Sequence, residues 1–231
     1  YRRQLDAIEA GLPTAEPAWQ RLAAAIAAHQ LPVQLLRDLL DAFTQDVVQA
    51  RYASFGELEQ YCRRSANPVG RLLLQLFGHA TEPNLRDSDA ICTSLQLLNF
   101  CQDVALDWRM GRIYFPQDEM LAAGVTEAQF AQGIADDRWR GLFEQQLDRA
   151  LLLLRAGSGL PTRLPGRVGL ELRAIVAGGE RIGARLARTR GDVFRRRPVL
   201  SRFDGLLILL RALQVLPAPR GARPALPATA R

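Results

Sequence analysis

Gln96, Asn99, Asp103 and Asp107 recur at intervals of three and four residues, the spacing of successive helical turns. At 100° per residue, with Gln96 as zero, Asn99 falls at about −60°, Asp103 at about −20° and Asp107 at about +20°. These four side chains share an arc of about 80°, and Asp89, further upstream, also falls at about +20°. Leu97, Leu98, Val104 and Ala105 lie off the arc, and Ile91, Leu95, Phe100 and Leu106 make most of the remaining circumference apolar. A solvated outer face explains such a strip on an ordinary surface helix. A helix apolar nearly all round is instead a central one, and polar groups there must line a cavity, because unpartnered buried carboxylates are very costly. Two carboxylates one turn apart, roughly 6 Å along the axis, suit a hard cation whose shell phosphate oxygens complete. Gln96 and Asn99 can hold a phosphate or a metal-bound water. This oxygen-only chemistry asks for Mg2+ and a diphosphate more naturally than for a redox metal.

The residues that follow extend the pattern. Gly111 ends the helix, Pro116 prevents its continuation, and the loop between them sets Arg112 just beyond the two aspartates, where a guanidinium can grip a diphosphate with two parallel bonds. Tyr114 can close over such a site or simply pack. A second unusual stretch runs Tyr61-Cys62-Arg63-Arg64-Ser65-Ala66-Asn67-Pro68-Val69-Gly70. Pro68 removes an N–H and clashes with the carbonyl of Arg64, so a kink is expected there; Gly70 lets another backbone approach.

These residues need long helices to position them, and the chain supplies little else. Apolar residues at helical spacing predict helices over about 1–10, 16–29, 33–51, 54–77, 84–109, 136–156, 166–190 and 199–215, with short pieces after Pro116 and at about 126–132. Ser54, Asn84 and Thr126 are the expected caps, and Gly11, Gly78, Gly157 and Gly191 the expected stops. No stretch alternates as a strand does, and no period of roughly 20–50 residues repeats. The expected architecture is one all-α domain over 1–215, with a disordered Pro/Ala/Arg tail over 216–231.

Composition narrows the partners. The chain has 231 residues, 48% hydrophobic and 23% charged, enough to bury a core without disulfides. Its three cysteines (Cys62, Cys92, Cys101) match neither a CxxC pair nor a zinc spacing and fit a reducing, cytoplasmic compartment. His29 and His79 are too few for a histidine metal site. No apolar run reaches the roughly 18 residues of a membrane span. Every basic residue is arginine. Residues 1–120 carry a net charge of −4 and residues 121–231 one of +10. The arginines are not interleaved with aromatics, and no helix-turn-helix or RNP signature is present, which argues against nucleic acid and leaves an anionic membrane surface or a phosphorylated substrate.

Together these stretches resemble the squalene/phytoene synthase family, the head-to-head prenyltransferases. One family signature, Tyr-Cys-x-x-small-Ala-small-x-Val-Gly, is matched by Tyr61, Cys62, Ser65, Ala66, Val69 and Gly70. The other, Gln-x-x-Asn-x-x-(Arg/Glu)-Asp-x-x-x-Asp followed by Arg-x-(Phe/Tyr)-x-Pro, is matched by Gln96, Asn99, Asp103, Asp107, Arg112, Tyr114 and Pro116. The resemblance implies an all-α isoprenoid-synthase fold around a central cavity, with two acidic clusters that hold Mg2+ and diphosphate. It makes Asp103 and Asp107 metal ligands, Gln96 and Asn99 diphosphate or metal-shell contacts, Arg112 a diphosphate clamp and Tyr61 a phenol near a substrate carbocation.

The departures from the pattern sharpen the expectation. The family's first acidic cluster should precede residue 1, so the fragment alone is expected to be inactive and its N-terminal helices to be missing. Gln102 stands where arginine is usual before Asp103, and Asn67-Pro68 replaces a small aliphatic pair. Both features resemble the hydroxysqualene synthase branch of bacterial hopanoid biosynthesis, which takes presqualene diphosphate, expels its diphosphate and captures the rearranged cation with water. Gln102 then removes one cationic clamp and can hold that water. The alternatives are presqualene diphosphate, squalene or phytoene synthase acting on two prenyl diphosphates, and a non-catalytic relative acting in protein-complex assembly. Substrates of this length partition into bilayers, so peripheral membrane contact is expected through Arg195-Arg196-Arg197 and the apolar Leu206–Leu210 stretch, with contacts to neighbouring pathway enzymes.

Overall fold

The computed structural model describes residues 1–14 and 16–214. Among them are thirteen helices and no strand: α1 (Arg2–Glu9), α2 (Pro17–His29), α3 (Val33–Val48), α4 (Phe55–Ser65), α5 (Asn67–Leu76), α6 (Glu82–Gln102), α7 (Val104–Arg109), α8 (Gln117–Ala122), α9 (Glu127–Gln132), α10 (Asp137–Gly157), α11 (Leu160–Arg163), α12 (Gly166–Thr189) and α13 (Arg202–Ala212). The all-α expectation holds, and the tail expected over 216–231 lies outside the described residues.

α6 is the central helix. It touches α4, α5, α7, α10, α11 and α12. Ile91, Leu97, Leu98, Phe100 and Cys101 are buried around its circumference, each large side chain contributing about 2 kcal/mol of apolar burial. Its buried polar residues are answered: Ser94 Oγ donates to the Ala150 carbonyl at 2.6 Å, and Thr93 Oγ1 donates to Asn67 Oδ1 at 2.9 Å. Glycines let the neighbours approach. A Cβ on Gly157 of α10 would sit 2.5 Å from the Asp87 carbonyl, and one on Gly179 of α12 would sit 2.9 Å from Leu95. One on Gly70 of α5 would meet Ser88 and Cys92, so Gly70 admits side chains of α6 rather than another backbone.

Several helix boundaries depart from the sequence expectation. The stretch 54–77 is two helices, because Ala66 breaks the run and Pro68 falls in the first turn of α5, where a missing N–H costs nothing. The stretch 84–109 begins at Glu82 and breaks at Asp103 (φ −104°, ψ 13°). Asn84 is not a cap; its Nδ2 donates to the His79 carbonyl and its Oδ1 accepts from Arg163. α10 does end at Gly157, which packing against α6 also requires to be small. Ser54 and Thr126 do cap, and Gly11, Gly78, Gly111 and Gly191 take the positive φ that ends a helix or turn.

Two local devices hold the C-terminal helices. Trp139 is fully buried among Phe115, Phe130, Phe143 and Phe194, and its indole N–H donates to the Gly191 carbonyl at 2.7 Å. Asp204, completely buried, closes the capping box with Ser201 at the start of α13 and pairs with Arg181 and Arg185 of α12. The Ser201 backbone N–H, with those partners, holds the Asp204 carboxyl well below the usual carboxylate range.

Candidate active site

Asp103 closes α6 and opens α7. Its own N–H bonds the Asn99 carbonyl, and its carbonyl accepts from the N–H groups of Leu106 and Asp107, which places Asp107 one turn further on. The Asp103 carboxylate is 15% exposed; it accepts from Asn99 Nδ2 at 2.8 Å and is forked by the Nε and guanidinium nitrogens of Arg197. Asp107 is half-buried. Burial, and then the charge of Asp103, push its carboxyl up to about 7, and Arg112 offsets only part of this. Both aspartates are partly buried, and Asn99 beside them is exposed.

That repulsion is what a divalent cation between the two carboxylates relieves, and with the Asn99 carboxamide they form an all-oxygen donor set of the kind a hard cation takes. Among the described residues no group of three or more acidic, histidine or cysteine side chains is gathered as a metal-binding cluster. Asp103 and Asp107 are two carboxylates, one short of such a cluster.

Gly111 (φ +76°) turns the chain after α7 and delivers Arg112 to Asp107. The Arg112 N–H bonds the Asp107 carbonyl at 2.8 Å, and its guanidinium donates to the Asp46 carbonyl of α3 at 3.1 Å. The carboxylate of the same Asp46 accepts from Tyr61 Oη at 2.7 Å. Asp46 thus ties the clamp arginine and the phenol together. Tyr61 lies in an aromatic group with Tyr52, Phe100 and Tyr114, in which Tyr114 stacks on Phe100 with centroids 3.9 Å apart and planes 7° apart. Burial first, and then the bond to Asp46, raise the Tyr61 phenol above its ordinary value, so it stays protonated and donates. Tyr114 is raised too, chiefly by burial.

The chain matches the squalene/phytoene synthase family over residues 1–204. The chain belongs to the squalene/phytoene synthase family. It is similar to hydroxysqualene synthase of Rhodopseudomonas palustris, with 34% identity covering 83% of this chain and 67% of that protein. It is also similar to hydroxysqualene synthase of Zymomonas mobilis, with 39% identity covering 60% of this chain and 47% of that one. Among solved structures it resembles the squalene synthase HpnC of Alicyclobacillus acidocaldarius, with a TM-score of 0.79 and 35% identity over 82% of this chain and 72% of that one. The chain therefore spans about half to two thirds of the length of these two curated relatives. It has the all-α isoprenoid-synthase fold of these neighbours.

Against the family signatures, the fold gathers Asn99, Asp103, Asp107, Arg112, Tyr61 and Tyr114 at one end of α6, with Gln96 half-buried on the turn before Asn99. Gln102 reaches away: its Nε2 donates to the Pro198 carbonyl at 2.5 Å and fastens the α12–α13 loop beside Asp103. Asn67 is not part of this group. It is buried against Thr93, in a cleft of about 450 Å³ shared with Glu59, Arg63, Arg71 and Asp89. Asp89 is forked there by Arg71, about 21 Å along the helix from Asp103.

Three residues of this region escaped the sequence reading. Asp46 carried a signal, since it continues the inward register of Leu35, Leu39 and Ala42 on α3. Tyr52 sits in the loop before α4 with no periodicity to mark it. Arg197, expected from sequence to face a membrane with Arg195 and Arg196, is instead paired with Asp103, 94 residues away, which no local pattern announces.

Proposed function

We propose that the protein converts presqualene diphosphate to hydroxysqualene, in squalene and hopanoid biosynthesis, using Mg2+. The observation that carries this reading is the placing of Asp103 and Asp107, both partly buried, one turn apart at the α6–α7 joint, with Arg112 delivered beside them. Bound there, Mg2+ supplies charge neutralisation to a departing diphosphate. The chain's own residues divide the rest. Asp103, Asp107 and Asn99 hold the cation and Gln96 the diphosphate shell; Arg112 adds a fixed positive charge toward the leaving group, with no reorganisation at the moment of reaction. Tyr61, kept protonated, and Tyr114 give the carbocation aromatic faces while burial keeps stray water away. Gln102 positions the loop that borders Asp103.

Identities of 34% and 39% to two hydroxysqualene synthases support this reading; identities of 33% and 37% to two phytoene synthases make condensation of two prenyl diphosphates the second reading. The test is product analysis with an enzyme spanning the length of its relatives, offered presqualene diphosphate or farnesyl diphosphate with Mg2+ or with chelator. Hydroxysqualene from presqualene diphosphate, lost on chelation, is expected. Turnover of farnesyl diphosphate alone moves the assignment to a synthase of the condensing type, and no turnover of either abandons it.

Contact with an anionic bilayer on the cytoplasmic face belongs to the same reading. Among the described residues no helix is long and apolar enough to cross a membrane. Phe203, Leu206 and Leu209 on α13, and Leu213 just after it, are nevertheless exposed, close in sequence to the exposed Arg195, Arg196 and Arg202. An apolar stripe beside arginines suits peripheral attachment. Sedimentation with anionic vesicles should fall from low to high salt; equal binding at both removes the electrostatic part.

A further inference from the structure

The loop that carries Arg112 is held in place by a side chain from the segment before α4. Residues 50–53 run alongside 113–118: the N–H groups of Ile113, Gln117 and Asp118 bond the carbonyls of Ala50, Tyr52 and Ala53 at 2.9, 2.9 and 3.1 Å. Arg51 closes this pairing at the end nearest Asp107. Its guanidinium donates to the Gly111 carbonyl at 2.5 Å and to the Ala50 carbonyl at 2.9 Å. Its Nε donates to Glu127 of α9 at 2.7 Å. The guanidinium carbon also lies 5.9 Å from the ring centre of Trp108, the residue after Asp107. One side chain therefore ties together α7, the Gly111 turn and α9. None of these contacts is with Asp103, Asp107 or Arg112.

We infer that Arg51, steadied by Glu127, is a positioning residue that fixes the Gly111 turn and through it aims Arg112. The inference rests on the functional reading above, in which Arg112 meets the diphosphate. Gly111, at φ +76°, is the joint between α7 and the loop, and a glycine brings no side chain to restrict its own backbone. A charged donor on its carbonyl supplies that restriction. The planar fork of an arginine is what reaches Gly111 and Glu127 together; a lysine ammonium is a single point and does not span both. Glu127 answers the charge of Arg51 and is held below its ordinary value by it. A fixed charge that stabilises a leaving group works only when it is aimed in advance, so a loosened turn costs turnover without touching the reacting atoms.

The test is a double-mutant cycle in an enzyme spanning the length of its relatives, read by calorimetry of inorganic pyrophosphate with Mg2+ and by turnover of presqualene diphosphate. Arg51→Met should weaken pyrophosphate and lower kcat, each by about tenfold. Arg112→Met should weaken pyrophosphate by about thirtyfold. The double variant should match Arg112→Met within about twofold, because Arg51 has nothing left to aim. Arg51→Lys should fall between wild type and Arg51→Met in both measurements. Should Arg51→Met not fold, Glu127→Gln carries the same cycle, with about threefold weaker pyrophosphate alone and no change in the Arg112→Met background. Losses that multiply in the double variant make Arg51 a merely structural residue and overturn the inference. Pyrophosphate affinity that depends on Arg112 but not on Arg51 also overturns it and leaves the functional reading standing. Affinity indifferent to Arg112, Asp103 and Asp107 overturns both.

Discussion

Two aromatic clusters of similar size sit in this protein and are built to different ends. Around Trp139 the partners are Phe115, Phe130, Phe143 and Phe194, and the one polar atom, the indole N–H, is answered by the Gly191 carbonyl. Around Tyr61 the partners are Tyr52, Tyr114 and Phe100, so three phenols are buried where phenylalanine would fill the same space. Burying hydroxyl groups costs free energy unless each is bonded, and Tyr52 Oη is buried with no well-formed hydrogen bond among the described residues, Gln45 being the nearest polar neighbour named for it. The first cluster is optimised for cohesion. The second keeps polar edges beside Asp46, Arg112 and Asp107, an arrangement that stability does not ask for and that a site for a charged reaction does.

The contrast predicts where each kind of damage falls. Trp139→Ala removes the largest fully buried side chain and strands the Gly191 carbonyl, so stability should drop by about 4 kcal/mol and the thermal midpoint by about 10 °C. Any loss of activity should then track loss of fold. Asp107→Asn should do the reverse. It removes a repelling carboxyl, so the midpoint should hold or rise, while turnover of presqualene diphosphate falls by about a thousandfold. A variant with near-normal turnover would separate Asp107 from the chemistry.

How far the two clusters were readable from sequence follows from the range of the forces that make them. Helix stops such as Gly11, Gly78 and Gly191 are local steric facts, and they stand where glycine spacing puts them. The α4–α5 break is local too, marked by Pro68. The break at Asp103 has no glycine or proline to announce it, so an ideal helical wheel ran through it; the same wheel, blind to distance along the axis, enrolled Asp89, which lies about 21 Å away in a different cleft with Arg71 and Asn67. The strip from Asn99 to Asp107 survived because it spans only two turns. Contacts made across the fold were out of reach: Asp46 to Tyr61, Arg197 to Asp103, and the aromatic stack of Tyr114 on Phe100 are set by how helices dock rather than by what precedes them in the chain.

Tyr61→Phe tests the tyrosine cluster at single-atom resolution. The ring stays, the Asp46 carboxylate loses its donor, and the anchor shared with Arg112 loosens. Stability should fall by about 1 kcal/mol and turnover by about tenfold. Trp139→Phe, which likewise deletes one buried donor, should cost stability with no separate effect on turnover per folded molecule. If both variants behave alike in turnover, the two clusters are not functionally distinct.

The smallest expected effect is a slope in stability against pH. The Asp107 carboxyl sits at about 7 in the folded chain and at its ordinary value of 3.8 when unfolded. Between about pH 4 and pH 7 the unfolded chain therefore releases this proton first, and the stability of the folded form falls as pH rises; above that window the penalty is constant. Asp204 works in the opposite sense. Its carboxyl is held low by Ser201, Arg181 and Arg185, so its contribution is present above the unfolded value and is lost on acidification. The two windows adjoin near pH 4, Asp107 acting above it and Asp204 below it. Subtracting the midpoints of Asp107→Asn from those of wild type, in chelator so that no cation binds, isolates the first. The difference should grow in favour of the asparagine variant from pH 4 to pH 7 and then level at about 1 kcal/mol, since water partly screens a half-buried carboxyl. A difference that is flat across the window would mean that Asp107 ionises as freely as an exposed carboxyl, and the electrostatic contrast between the two clusters would go with it.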